Sequence, residues 1–427
     1  MQGSEIWAES WGVLPEVPLF EDKVTGIKYD FNYGFRCHSP SDSDDMFNIH
    51  IETSAGDVLC DIPLAAGCKW SFPFKYYMDY TVTITGKHGV FRETLDLTDK
   101  TVMIMCSVRT LGDSLAWLSA VPAFERKHKC KCVCVVNNDI YELLKDSEQI
   151  KVIKLEDKCN YTPYATYYLG LFFDESYSKF WQPYDFRLDG LHEQAKNILG
   201  IRNEETRHLE LRDTGTNPLA GKKYVCISYS GSKANKFWNN PIGWKKVVKY
   251  LHSLQYAVVC IDKSDVCGIA SLYYYMPNGV IDMTGDLSLQ SRVDVLKGAE
   301  MFIGMASGLS WLAWCSGVPV VMISGFSLPY AEFYTKYRVI NTMCECIGCW
   351  NDTRIQFSRH DYMWCPRIDD RLKALKVSDS ESEAEYQRLS QKRFMCTQTI
   401  TPNMVIQKIN EAVSYTHIRA HETRHDL

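Results

Sequence analysis

The chain has no stretch approaching the roughly 18 uninterrupted apolar residues of a membrane-crossing helix. Nor does it begin like a secretory signal, since residues 1–20 carry Glu5, Glu9 and Glu16 in place of a basic start and an apolar run. Both absences point to a cytoplasmic protein without a membrane span. An excess of one charge is also missing: 47 basic against 52 acidic residues leave a net charge of −5. No segment combines clustered Lys and Arg with interleaved aromatics, so a nucleic-acid-binding face is excluded. Cysteine is abundant, at 17, but the number is odd and most are scattered or lie in apolar strands such as Cys130, Cys132 and Cys134. These read as small buried thiols, not as a disulfide framework.

A chain of 427 residues exceeds what one core usually supports, so two or three domains are expected. The 13% aromatic content fits a sugar-binding protein and a large buried core alike and decides nothing. From Gly26 to Leu97, strands alternate with turns. Phe47 to Glu52 and Val58 to Ile62 flank Ser54-Ala55-Gly56-Asp57, and Tyr80 to Thr85 and Val90 to Leu97 flank Lys87-His88-Gly89. This predicts an N-terminal antiparallel β-barrel or sandwich domain over residues 1–100. From Thr101 the texture becomes strand, helix, strand: Val102 to Cys106, Ser114 to Lys127, Cys132 to Val136. A second series starts at Tyr224 and runs through Gly243 to Leu254, Ala257 to Asp262, Leu289 to Lys297, Met301 to Gly304, Ser310 to Ser316 and Val318 to Ile323. The fold class is therefore α/β, with two parallel-sheet domains, residues 101–220 and 221–340, facing one another across a cleft. Residues 341–412 follow as a cysteine-rich segment with a charged helix over Lys376 to Lys392 and a closing helix from Thr401. Residues 413–427 are polar with no apolar face and read as a non-native tail.

In open parallel sheets ligands bind beyond the carboxyl ends of the strands. Four loops lie there. The first contains Asp113, whose ordinary reading is a helix-capping carboxylate. The second, Tyr229 to Trp238, offers Ser232 among small residues and then Lys236, a pattern suited to a diphosphate although it matches neither common glycine-rich motif. The third is Asp282-Met283-Thr284-Gly285-Asp286. The fourth, Ser307-Gly308-Leu309-Ser310, opens a helix and so presents hydroxyls and free N–H groups to an anion; simple helix capping is the plain alternative. Further on, Cys346 and Cys349 form a CxxC knuckle, with Cys365 and Cys396 beyond it. Four such thiols complete a tetrahedral site for iron or zinc, and Cys344 competes as a ligand.

The succession Lys236-Phe237-Trp238, Asp282 to Gly285, Gly304 to Leu309 and Gly317-Val318-Pro319-Val320-Val321 resembles the C-terminal half of the lipopolysaccharide heptosyltransferases, glycosyltransferase family nine. That resemblance implies a GT-B fold of two Rossmann-like domains. It departs at Ala306, where that group carries an Asp, which argues against lipopolysaccharide core as acceptor. With the leading β domain, the Asp113 loop and the four-cysteine tail, the chain up to about Ala412 resembles the bacterial autotransporter heptosyltransferases. The resemblance implies inverting transfer of heptose from ADP-heptose to serine hydroxyls of an autotransporter adhesin's passenger domain. It implies Asp113 as base, Lys236 beside the departing ADP, Ser307 to Ser310 on its phosphates, and Thr284 and Gly285 on the nucleotide side. One structural iron on Cys346, Cys349, Cys365 and Cys396 and a dodecameric homo-oligomer also follow from it. Transfer to a lipopolysaccharide or other glycan acceptor, or a non-catalytic metal-binding scaffold that does not bind ADP, are the alternatives.

Overall fold

The computed structural model describes residues 18–425 apart from 43, 270–271, 359 and 376–377. It divides into two compact units. One holds the described residues up to Arg109 with Ala116–Phe186 and Leu191–Leu209; the other holds Thr110–Leu115, Arg187–Gly190 and the chain from Glu210 onward. The expectation for residues 413–427 falls largely on side chains outside those described; the backbone helix there is Pro402–His425.

In the first unit, Val152–Lys154, Lys131–Val136, Thr101–Cys106 and Ala165–Tyr168 lie side by side in parallel. Val102 to Cys106 and Cys132 to Val136 are buried throughout, as parallel strands covered on both faces must be. The sheet does not stop at Ala165–Tyr168. Lys28–Asn32 pairs with it in parallel, and Arg36–His38 and Lys69–Ser71 continue antiparallel from there. The remaining early strands form an open antiparallel sheet in the order Val58–Ala65, Met46–Thr53, Tyr80–Gly86, Gly89–Thr94. Strand Met46–Thr53 alternates exposed and buried residues along its first half, the signature of one solvated face. The segment expected as a front barrel or sandwich thus takes the form of one open sheet plus strands that extend the parallel one. The reason is visible in Lys28–Asn32: Asp30, Phe31 and Asn32 are fully buried, so this strand has to be covered on both faces and pairs internally.

The expected helix Ser114 to Lys127 is two helices, Leu111–Leu118 and Val121–His128. Pro122 lies in the first turn of the second, where its missing N–H costs nothing, whereas inside a continuous helix it would remove a hydrogen bond.

The second unit carries a six-stranded sheet, parallel throughout, in the order Ile281–Asp282, Ala257–Cys260, Tyr224–Ile227, Phe302–Met305, Val320–Ile323, Arg338–Val339. In chain order this is 3-2-1-4-5-6, the doubly wound dinucleotide-binding arrangement. The direction of winding reverses between Tyr224–Ile227 and Phe302–Met305, the position at which such sheets bind their ligands. Helix Gly243–Ser253 and the start of the last helix cover the sheet through Val247, Val248, Leu251, Val405 and Ile409, all buried. Among the described residues no helix is long and apolar enough to cross a membrane.

Candidate active site

Three of the four expected loops meet within the second unit. Thr110–Leu115, the segment that follows strand Thr101–Cys106, belongs to this unit and starts helix Leu111–Leu118. Asp113 sits in that helix's first turn and is not its cap; the Thr110 hydroxyl donates a short hydrogen bond to its carboxylate. Burial holds the Asp113 carboxyl above the ordinary aspartate range, opposed by the Thr110 hydrogen bond and by the positive charge of Lys236. Asp113 and Lys236 are therefore electrostatic neighbours, although 123 positions separate their numbers. A desolvated carboxylate with its cation at a distance, not clamped to it, is basic enough to take a proton and free to do so.

Lys236 ends the short turn Ala234–Lys236, and its ammonium lies 5.8 Å from the centre of the Phe326 ring. The loop before it is fixed by a buried carboxylate. Asp262, 1% exposed, accepts from the Ser228 and Ser230 hydroxyls at 2.7 and 2.9 Å and from the Tyr229 and Ser230 amides at 2.8 and 3.2 Å. Arg292 braces the far side by donating to the carbonyls of Ile261, Asp262, Gly285 and Leu287. Lys233 is anchored rather than solvated: its buried ammonium donates to the carbonyls of Ser358 and Asp361 at 2.8 and 2.5 Å. Ser232 is exposed on the same loop.

The fourth loop opens helix Gly308–Cys315. Ser307 occupies the capping position, yet its hydroxyl makes no capping bond and is a buried oxygen without a hydrogen-bond partner. The amides of Gly308 and Leu309 head the helix beside it, where intrahelical acceptors are lacking. Ser310 is committed elsewhere, its hydroxyl donating to the Met305 carbonyl at 2.5 Å. The two helix starts abut. A Cβ on Gly308 would stand 3.0 Å from that of Leu111 and 3.2 Å from the Gly112 nitrogen, and a Cβ on Gly112 would stand 2.9 Å from Trp311 Cδ1. Two helix N-termini and Lys236 concentrate positive potential at one place, and Ala306 brings no carboxylate to offset it. Because Trp311 is fully buried and cannot retreat, Gly112→Ala is expected to cost about 1–3 kcal/mol of stability. A thermal melt checks this, with transfer activity falling alongside as the Asp113 turn is displaced.

Thr284 closes a tight turn on Asp282, whose carboxylate accepts from its amide and hydroxyl at 2.9 and 2.7 Å. Gly285 follows at φ +94°, a left-handed conformation that suits glycine, with open space where a side chain would stand. Its amide donates to the Lys263 carbonyl and its own carbonyl accepts from Arg292, so this turn is tied to the Asp262 end of the neighbouring strand.

The cysteine segment lies in the same unit. Gly348, at φ +70° and with Leu328 2.9 Å from its absent Cβ, allows the knuckle between Cys346 and Cys349. A hydrogen bond between these sulfurs holds Cys346 below the ordinary thiol range and Cys349 above it. Cys396 is pushed upward by burial and then by charge on Cys346, Cys365 and Cys344, so the five thiols share one electrostatic neighbourhood. Cys365 precedes helix Pro366–Ala374 and its sulfur accepts the Phe394 amide at 3.5 Å. Among the described residues no three His, Cys, Asp or Glu side chains stand in ligating geometry. Thiols from three separate segments in one electrostatic neighbourhood are, in kind, donors that suit a thiophilic ion.

Sequence reasoning passed over Thr110, Asp262, Arg292 and Asn235. The first had a local signal in its spacing to Asp113, three residues on; the others become visible only when burial and partners are known.

Two abutting helix N-termini, a carboxylate and a lysine gather beside the switch point of a doubly wound sheet, an arrangement suited to a phosphorylated donor, and the comparisons identify a glycosyltransferase. A model of glycosyltransferase family 9 (heptosyltransferase) matches residues 180–344. The chain is 38% identical over 406 residues to the autotransporter heptosyltransferase Aah of Escherichia coli, covering 94% of this chain and 96% of that one. It is similar in structure to the dodecameric iron-containing heptosyltransferase TibC in complex with ADP-D-β-D-heptose. The TM-score is 0.81 and the identity 35%, over 94% of this chain and 99% of TibC. The inactive autotransporter heptosyltransferase BimC of Burkholderia thailandensis is 33% identical over 373 residues, 85% of either chain. The protein belongs to the autotransporter heptosyltransferase family, and its α/β architecture is GT-B-like.

Proposed function

We propose that this chain is an active, inverting protein O-heptosyltransferase that moves heptose from ADP-heptose to serine hydroxyls of an autotransporter adhesin. The observation that carries this reading is the electrostatic pairing of Asp113 with Lys236 beside the unpartnered Ser307 hydroxyl and two helix N-termini. Asp113 takes the proton of the acceptor hydroxyl as its oxygen bonds to the anomeric carbon; the bond from that carbon to the phosphate oxygen breaks, and ADP leaves with the electron pair. Lys236, Ser307 and the amides of Gly308 and Leu309 stabilise the charge that develops on the departing phosphate. Thr284 and Gly285 line the nucleotide side, and Ser232 borders the diphosphate. We place the reaction in the cytoplasm, a compartment that keeps a thiol-rich chain reduced. Incubating the purified protein with ADP-heptose and a passenger domain, or with lipopolysaccharide core, separates the acceptors by intact mass. Heptosyl increments on the passenger alone are expected. Increments on the core alone overturn the protein acceptor, and none on either overturns the activity.

One structural iron on Cys346, Cys349, Cys365 and Cys396 completes this reading, supported by the shared neighbourhood of the thiols and by the iron content of TibC. Its service would be a fourfold crosslink of a segment otherwise held by small apolar clusters. That segment also carries the donor turn: Ala234 is buried against Cys365, Ile368 and Phe394, and its amide donates to the Tyr362 carbonyl. Cys346→Ser is therefore expected to remove the bound metal and lower stability by several kcal/mol, roughly 10 °C in Tm. Elemental analysis with a thermal melt reads both, and full metal content in the variant excludes Cys346 as a ligand. A dodecamer, the state described for TibC, is the expected assembly.

A further inference from the structure

The turn Ala234–Lys236 contains an asparagine that no partner within the protein explains. Asn235 is 4% exposed, and neither its Nδ2 nor its Oδ1 has a hydrogen-bond partner. The neighbouring asparagines are used in full. Asn239 donates through Nδ2 to the carbonyls of Ala234 and Phe237 and to the Thr397 hydroxyl, and its Oδ1 accepts a short hydrogen bond from the Tyr274 hydroxyl. Asn240 donates to the carbonyls of Gln398 and Ile400 and its Oδ1 accepts the Ile242 amide. The residues on either side of Asn235 also have assigned tasks, since Ala234 is sealed against the cysteine segment and Lys236 faces Asp113.

A buried amide left empty at both ends is costly, and an apolar side chain of the same size would fill the space without that cost. An amide at this place points to a ligand that supplies both missing bonds. The chemistry of an amide narrows that ligand. Phosphate oxygens can only accept and would leave Oδ1 bare, whereas a hydroxyl both accepts from Nδ2 and donates to Oδ1. We infer that Asn235 is a specificity-determining residue that binds hydroxyl groups of the sugar being transferred, one position along the chain from the lysine on its leaving phosphate. The inference rests on the proposed donor, a nucleoside diphosphate sugar.

Calorimetry with ADP and with ADP-heptose tests it on the wild type, Asn235→Ala and Asn235→Leu. The wild type is expected to prefer ADP-heptose. Both variants lose that preference by about tenfold or more while their affinity for ADP stays within about twofold, because only the sugar contact is removed. Asn235→Leu also melts at or above the wild-type temperature, since it relieves an unpaired amide without taking a bond from the protein. If Asn235→Leu keeps the wild-type preference, or loses affinity for both ligands together with Tm, Asn235 is structural and the inference fails. A wild type that binds ADP but shows no gain from the sugar overturns the inference and leaves nucleotide binding intact; a wild type that binds neither overturns the donor reading itself.

Discussion

Asp113→Asn is expected to lower kcat by about 10³-fold or more while leaving the affinity for ADP-heptose within about threefold of wild type, a loss in the range attributed to a positioned general base. The substitution keeps the shape of the side chain and can keep the Thr110 hydrogen bond, but it removes the one carboxylate in the segments 107–114 and 304–310 that open the two helices. Single-turnover kinetics with calorimetry separates the two effects. Unchanged turnover removes Asp113 from the reaction, and a parallel loss of binding makes it a scaffold residue. The state of the carboxyl also sets the pH profile. Burial raises its pKa above the ordinary aspartate value, and the base must be ionised, so kcat/KM falls on the acid side at a higher pH than an exposed aspartate would impose.

Lys236→Met is expected to cost about 10²–10³-fold in kcat, the size of effect seen when one preorganised stabilising group is withdrawn from a leaving or developing anion. The remaining hydroxyl and helix-end dipoles still offer donors, so the loss is smaller than complete. Lys236→Arg restores charge but not reach, because a planar guanidinium fills the space differently from an ammonium, and it recovers only part of the rate. Rates indistinguishable from wild type in Lys236→Met place the ammonium outside the reaction.

Much of the donor half is legible in the sequence because its strands are short apolar runs separated by helical stretches. Helix Leu289–Lys297 falls where expected, with Ser288 capping it through the Ser291 amide. The loops at the carboxyl ends could be located from the succession of strands and helices along the chain, since ligands of a parallel sheet bind beyond those ends. What resisted reading depends on distant partners. Nothing local in Lys28–Asn32 announces that it pairs with Ala165–Tyr168 more than 130 residues later, and the hairpin of Val266–Ile269 with Leu272–Tyr275 lies in a stretch with no clear alternation. Ser310 looks like a phosphate ligand until its hydroxyl is found on the Met305 carbonyl, and Ser307, three residues earlier, is the one left unpaired. Asn235 looks like one more polar residue in a lysine-rich turn; only its burial and its missing partners set it apart. Asp262 likewise reads as a strand-end carboxylate, and its four bonds to the Ser228–Ser230 loop exist only in the folded sheet.

The pairing of base and cation across one reaction centre is tested most directly by the acid limb of kcat/KM for heptosyl transfer, measured in wild type and in Lys236→Met. Lys236 holds the Asp113 pKa down against burial, so its removal raises that pKa and the limb moves to higher pH, although the plateau rate is lower. A limb that stays in place, whatever the plateau does, means that the two groups do not share a site.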